Sequence, residues 1–393
     1  MPVMLDRGAS GHAVLGWHHE ISASDLRPAR SIDLALVNNM PDSALEGTER
    51  QFAQLLAAAS GDLLVRVKLF SLPGVPRAEP ARRYLGETYS AVDTLWDGRP
   101  DGMIVTGTEP RAAALTDEPY WSALTRIVDW AQYAAIPTIW SCLAAHGAIL
   151  HADGIRRRPL REKRSGVFEC TNTSDHPLVM GMPRRFPIPH SRCNDLDQNE
   201  LTACGYIVLS SSAQAGVDSF AKRTRSTFLF FQGHPEYEAG TLFREYRRDV
   251  GRFLRGEREI YPAMPEGYFA NEASNRLIAF RERALAARSE GLLAEFPAVE
   301  RDVTNTWRAA ATRIYRNWLT SIFAEKARRL SPITRTTRRS VHSGAPHGAT
   351  RLTAIEGDKP PRFGLAAVAS PPIERARKRS PAAAATLAGK PKA

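Results

Sequence analysis

Apolar positions fall into two rhythms along this chain. Predominantly apolar runs at residues 32–37, 102–105, 136–140 and 227–231 have the length of strands buried on both faces. Between them apolar residues recur at helical spacing, as with Phe52, Leu55 and Leu56 in 43–59, again over 119–134, and in a small-residue run at 143–150. Residues 65–69, Val-Arg-Val-Lys-Leu, alternate as a half-exposed strand does. Strand and helix in alternation predict an α/β fold: a mostly parallel, doubly wound sheet with helices on both faces. Residues 156–225 are less regular and richer in turn signals. After Gly240 the pattern is helical, strongest at 242–254, 271–293 and 303–329, and no internal repeat is present.

Chemistry concentrates where two of the buried strands end. Cys142 stands between the apolar run 136–140 and the helix-like run 143–150. A strand that turns sharply into a helix exposes the residue at the turn, and the N–H groups of the first helical turn open behind it. Those groups, the Leu143 N–H among them, and the positive helix end favour thiolate over thiol and suit a developing oxyanion. The other run, 227–231, ends in Gln232-Gly233-His234-Pro235-Glu236. Proline restrains the backbone there, and the i, i+2 spacing lets the Glu236 carboxylate hold the His234 imidazole in one tautomer. Cys142, His234 and Glu236 read as nucleophile, base and orienting acid. A lone cysteine is more often a small core hydrophobe, so the pairing with the second motif carries the inference.

Charge adds a qualification. The chain of 393 residues has a formal net charge of +11, which suggests a polyanion partner. From Lys326 onward, however, fifteen Lys and Arg face three acids, so the preceding residues carry about −1. The division expected is an N-terminal extension at 1–30, a catalytic domain at 31–325 and a basic, disordered tail at 326–393, through which alone nucleic acid would bind. Four cysteines without C-x-x-C spacing and a start without a continuous apolar stretch fit a reducing cytoplasm. Residues 131–150 lack any Asp, Glu, Lys or Arg, but Pro137 and the turn at Cys142 divide them into strand and helix, and no membrane span is expected. His190 and Cys193 form an isolated H-x-x-C, too few ligands for a metal, and Gly102, Gly107 and Gly147 make no phosphate loop. Trp307, Arg308, Asn317 and Trp318 share a late helix whose aromatic face reads as packing.

Several motifs in one order resemble a known family. Residues 35–41, Ala-Leu-Val-Asn-Asn-Met-Pro, followed by Ile104-Val105-Thr106-Gly107, the 117–121 segment, Cys142, Glu162-Lys163, Pro189-His190-Ser191-Arg192 and Gly233-His234-Pro235-Glu236-Tyr237, are similar to the homoserine O-succinyltransferase and O-acetyltransferase family, related to class I glutamine amidotransferases. The likeness spans roughly residues 30 to 325 and implies a flavodoxin-like three-layer fold with added C-terminal helices. It also implies a homodimer and an acyl-thioester on Cys142, with His234 as proton acceptor and Glu236 orienting it. No cofactor is implied, only acyl-CoA as co-substrate and homoserine as acceptor. The family's substrate-contacting lysine, serine and arginine match Lys163, Ser191 and Arg248.

Donor choice departs from the family pattern. Where acetyl users carry glutamate and succinyl users glycine, this chain has Arg111. A guanidinium pairs with a distal carboxylate, so the expectation is succinyl-CoA, read by Arg111. Serine in place of homoserine remains open, one methylene being worth only roughly 1–3 kcal/mol. A glutamine amidotransferase-like hydrolase is the main rival; it normally flanks its cysteine with glycines, as G-x-C-x-G, where Trp140 and Ala144 stand here. A scaffold whose basic tail does the binding is the third reading.

Overall fold

The structure is a computed structural model that describes residues 3–6, 12–15 and 30–330. Eleven strands form one sheet: β1 (Val3–Asp6), β2 (His12–Leu15), β3 (Ser31–Val37), β4 (Leu64–Phe70), β5 (Gly102–Val105), β6 (Thr138–Ser141), β7 (Arg158–Asn172), β8 (Arg185–Asp195), β9 (Ile207–Ser212), β10 (Gly216–Arg223) and β11 (Thr227–Phe231). Their order is β2-β1-β4-β3-β5-β6-β11-β10-β9-β7-β8. The six strands from β1 to β11 in that order are parallel. The central strands β5, β6 and β11 are buried on both faces because helices cover both, as a parallel sheet requires, whereas β4 alternates, with Arg66 exposed.

The helices are α1 (Leu45–Ala59), α2 (Glu79–Thr88), α3 (Asp93–Gly98), α4 (Trp121–Tyr133), α5 (Leu143–Asp153), α6 (Gln198–Ala203), α7 (Thr241–Leu254), α8 (Asn271–Ala286) and α9 (Arg308–Leu330). Leu34, Leu36, Val67 and Ile104 share one core with Leu55 of α1 and Tyr315 and Trp318 of α9. Their sequence neighbours Ala35, Met103 and Val105, which face the opposite side, are equally buried. α4 and α5 pack closely, since a Cβ at Gly147 would stand 2.6 Å from Leu124 Cδ2. The aromatic face at 307–318 is packing: Trp318 is fully buried and Trp307 Nε1 donates to the Tyr237 carbonyl at 2.9 Å. Residues 131–150 divide into the end of α4, then β6, then α5, and among the described residues no helix is long and apolar enough to cross a membrane.

Two features were not specified by the sequence pattern. Residues 3–6 and 12–15, within the N-terminal extension, are strands that continue the sheet, β1 beside β4. Residues 156–225 are not a loop-rich interlude. They build the antiparallel flank β7 to β10, whose charged, half-exposed strands lack the apolar runs that marked the core. The last helix, α9, ends at Leu330, in keeping with the helical pattern read to 329 and five residues past the domain boundary set at 325. Lys326 Nζ reaches Asp101 Oδ2 at 2.6 Å and the Ser31 carbonyl at 2.9 Å, tying the last helix to the starts of the central strands β3 and β5. Lys326→Met should therefore cost about 2 kcal/mol, read as a lowered midpoint in urea, because it leaves the mostly buried Asp101 carboxylate with Arg329 as its remaining ion-pair partner and the Asp33 N–H as a neutral donor. The rest of the basic tail, 331–393, lies outside the described residues.

Candidate active site

Strand register brings the two motifs together. Phe231 of β11 pairs with Ser141 of β6, so two segments ninety residues apart in sequence leave the sheet side by side, and the Cys142 N–H donates to the Phe231 carbonyl at 2.7 Å. Cys142 itself has φ 51° and ψ −112°, a backbone conformation that side chains avoid and that marks an exposed nucleophile turn. Gly233 lets the second motif close in: a Cβ there would lie 2.4 Å from Asp218 Oδ1 and 2.6 Å from Ile188. Behind that glycine, Cys170, His190 and Asp218 are fully buried together, and Phe168 meets the His190 ring edge-on.

The His234 Nδ1 to Glu236 Oε1 distance is 2.8 Å, both side chains being nearly buried. Its imidazole is also coupled electrostatically to Cys142. Burial pushes the His234 pKa down, but the charges of Glu236 and Cys142 outweigh it and hold the pKa well above the ordinary histidine value. The Tyr237 ring stacks on the imidazole at 4.2 Å. One turn into α5, His146 Nε2 meets Gln232 Oε1 at 3.0 Å, and burial lowers its pKa to about 4, so this second histidine stays neutral.

The site opens into a cleft of about 1410 Å³. On its floor the Leu143 N–H begins the helix, and Gly107 stands against it so closely that a Cβ would come 2.9 Å from that nitrogen. Lys163 projects from an irregularity in β7, where the register against β8 shifts between Pro159 and Arg164; bulges of this kind re-aim side chains. Its Nζ lies 3.2 Å from Glu245 Oε2 and 2.9 Å from Asp249 Oδ2. Glu245 also accepts from the Ser191 hydroxyl and, at 2.6 Å, from the Tyr237 hydroxyl. Burial raises the Glu245 pKa, but the Lys163 charge and these hydrogen bonds prevail and hold it below the carboxylate norm. Arg248 is exposed, with its guanidinium 3.2 Å from Asp249.

Of the residues singled out from sequence, the cleft lining includes Cys142, Leu143, Lys163, Ser191, His234, Glu236 and Arg248, and Arg111 is absent from it. Glu118 explains the exception: its Oε1 accepts the Arg111 and Ala112 N–H groups at 2.6 and 2.8 Å, which turns the chain away after Pro110 and leaves Arg111 exposed. Glu109 lines the cleft instead, held by Arg252 at 3.0 Å. Glu245, Asp249 and Tyr237 were not identified from sequence. A signal did exist, because Glu245, Arg248, Asp249 and Arg252 recur at i, i+3, i+4 and i+7 along α7 as one polar stripe.

Fold and site together define a doubly wound α/β protein with a Cys-His-Glu constellation where adjacent parallel strands end. Residues 17–328 match the family model for homoserine O-succinyltransferase. The homoserine O-succinyltransferase of Methylorubrum extorquens is 47% identical over 317 residues, covering 80% of this chain and 92% of that protein. That of Rhodopseudomonas palustris is 48% identical over 299 residues, 76% and 90% of the two chains. Among solved structures, a glutamine amidotransferase from Methylobacillus flagellatus aligns with 74% of this chain and 94% of its own at a TM-score of 0.42 and 14% identity. The chain belongs to the homoserine O-succinyltransferase family, a family of acyltransferases.

Proposed function

We propose that this protein transfers a succinyl group from succinyl-CoA to the hydroxyl of homoserine through a thioester on Cys142, in methionine biosynthesis, with acyl-CoA as co-substrate and no bound cofactor. The observation that carries the reading is that Cys142, His234 and Glu236 line one cleft, the imidazole bonded to Glu236 and coupled electrostatically to Cys142, and that the cleft is large enough for a CoA thioester and an amino acid. The thiolate attacks the acyl carbonyl, and its oxygen takes the developing charge beside the Leu143 N–H at the start of α5. The carbon–sulfur bond to CoA then breaks, with the proton on His234 available to the departing thiolate. His234, neutral again, takes the hydroxyl proton of homoserine as that oxygen attacks the thioester, and Cys142 leaves as thiolate.

Acceptor binding follows from charge. Glu245 is the buried carboxylate suited to the ammonium group, with Lys163 and Tyr237 fixing its position. Arg248, whose one ion pair among the described residues is with neighbouring Asp249, and the Ser191 hydroxyl suit the carboxylate.

Intact-mass spectrometry after mixing protein with succinyl-CoA tests the reading. A succinyl adduct is expected on the native chain, none on Cys142→Ser under the same conditions, and discharge when homoserine is added. An unmodified native chain would overturn the proposal. Serine in place of homoserine decides the acceptor by which discharges the adduct faster.

A further inference from the structure

The sequence suggested Arg111 as the cation that recognises a dicarboxylic acyl group, and the fold turns that side chain out of the cleft. Arg157, unlike Arg111, lines the cleft. It immediately precedes β7, is half-buried, and lines the cleft with Cys142, Leu143 and His146. Two guanidinium groups act electrostatically on Cys142, those of Arg157 and Arg192. They differ in what else they hold. Arg192 is buried and committed, with Nη1 2.9 Å from Asp195 Oδ1 and a further bond to the Ala215 carbonyl. Arg157 makes no hydrogen bond and no ion pair among the described residues.

Its surroundings keep a positive charge beside the nucleophile without neutralising it. Glu118 and Tyr120 act on the guanidinium through space only. Glu118 directs Oε1 to two backbone N–H groups, while its Oε2 and the Tyr120 hydroxyl are buried without a hydrogen-bond partner among the described residues. Burial lowers the Arg157 pKa, the direction for a cation that has given up water and gained no contact partner in return. A half-buried guanidinium left with five unused donors is a prepared site for a planar anion.

The acyl group fixes which anion. In an extended succinyl thioester the distal carboxylate stands about 5 Å from the sulfur, as bond lengths require. That is the scale on which a partly screened charge still acts strongly. We propose that Arg157 is the donor-specificity residue of this chain, pairing with the distal carboxylate of a C4 dicarboxylic acyl group while that group is bound at Cys142. The inference rests on the thioester reading above and adds to it the residue that selects the acyl group.

The experiment compares acylation of the full chain by succinyl-CoA and by butyryl-CoA, which has the same carbon count and no distal charge, followed by intact mass. The native chain should be acylated by succinyl-CoA in preference. Arg157→Gln should lower the succinyl rate by about 50-fold or more, as expected for truncating one partner of a partly desolvated charge pair, and leave the butyryl rate within a few-fold. Arg157→Lys should fall between. Arg161→Gln, which alters an exposed cation of the same cleft, should leave the preference intact. Equal losses with both donors would overturn the inference, because they would assign Arg157 to the shared CoA portion or to folding. An unchanged ratio, or the same loss in Arg161→Gln, would overturn it too. A native chain that takes up neither acyl group would overturn the thioester reading itself, whereas one that is acylated but indifferent to Arg157→Gln leaves that reading standing and removes only this inference.

Discussion

Cys142→Gly should abolish acyl transfer, by about 10⁵-fold or more, and yet fold more stably than Cys142→Ala. Both substitutions remove the sulfur, so neither forms a thioester, and they differ only in backbone freedom. At φ 51° and ψ −112° a Cβ is strained by about 1–3 kcal/mol, and glycine is not. Against this, glycine costs the unfolded chain's extra entropy, about 0.4–1 kcal/mol, which leaves the glycine variant ahead by about 1 kcal/mol. At an ordinary position the order is the reverse. Urea midpoints of the two variants decide the matter: if alanine is equal or better, the turn at Cys142 is not strained and its exposure needs another cause.

His234→Asn should lower turnover by about 10³-fold, within the range that a positioned acid–base group supplies. It should also change how stability depends on pH. Because Glu236 and Cys142 raise the His234 pKa above its unfolded value, the native chain gains stability from the imidazolium that is fully present below about pH 6.5 and is lost as pH rises through the elevated folded value. Asparagine cannot titrate. The gap in melting temperature between native and variant chains should therefore be widest in mildly acidic buffer and should close on the alkaline side. A gap that widens as pH rises would reverse the sign assigned to His234.

The two halves of the Cys-His-Glu chain were legible because their signals are local: an apolar run, a turn, and a short motif whose spacing sets its own geometry. So was the parallel core, where β3, β5, β6 and β11 are buried on both faces and read as apolar runs. The flank from β7 to β10 was not legible. Arg158 to Arg164 carries four cations and one acid on a half-exposed strand, a pattern that single-sequence periodicity does not separate from a loop. Glu245 was hidden for a related reason, since a carboxylate on a charged helix looks solvated until β7 and β8 bring Lys163 and Ser191 to it. Arg111 failed differently. Spacing located its backbone correctly, but the direction of a side chain just after Pro110 depends on where Glu118, seven residues later, draws the N–H groups.

The pairing of β6 with β11 has a consequence for biogenesis. A chain leaving the ribosome exposes its thiol long before the imidazole that activates it has been synthesised, and the two meet only when the later strand docks against the earlier one. Until then the sulfur is an ordinary one, so the growing polypeptide is spared acylation by cellular thioesters. In refolding followed with a small alkylating reagent, heightened reactivity of that cysteine should emerge as one of the last events, marking completion of the sheet.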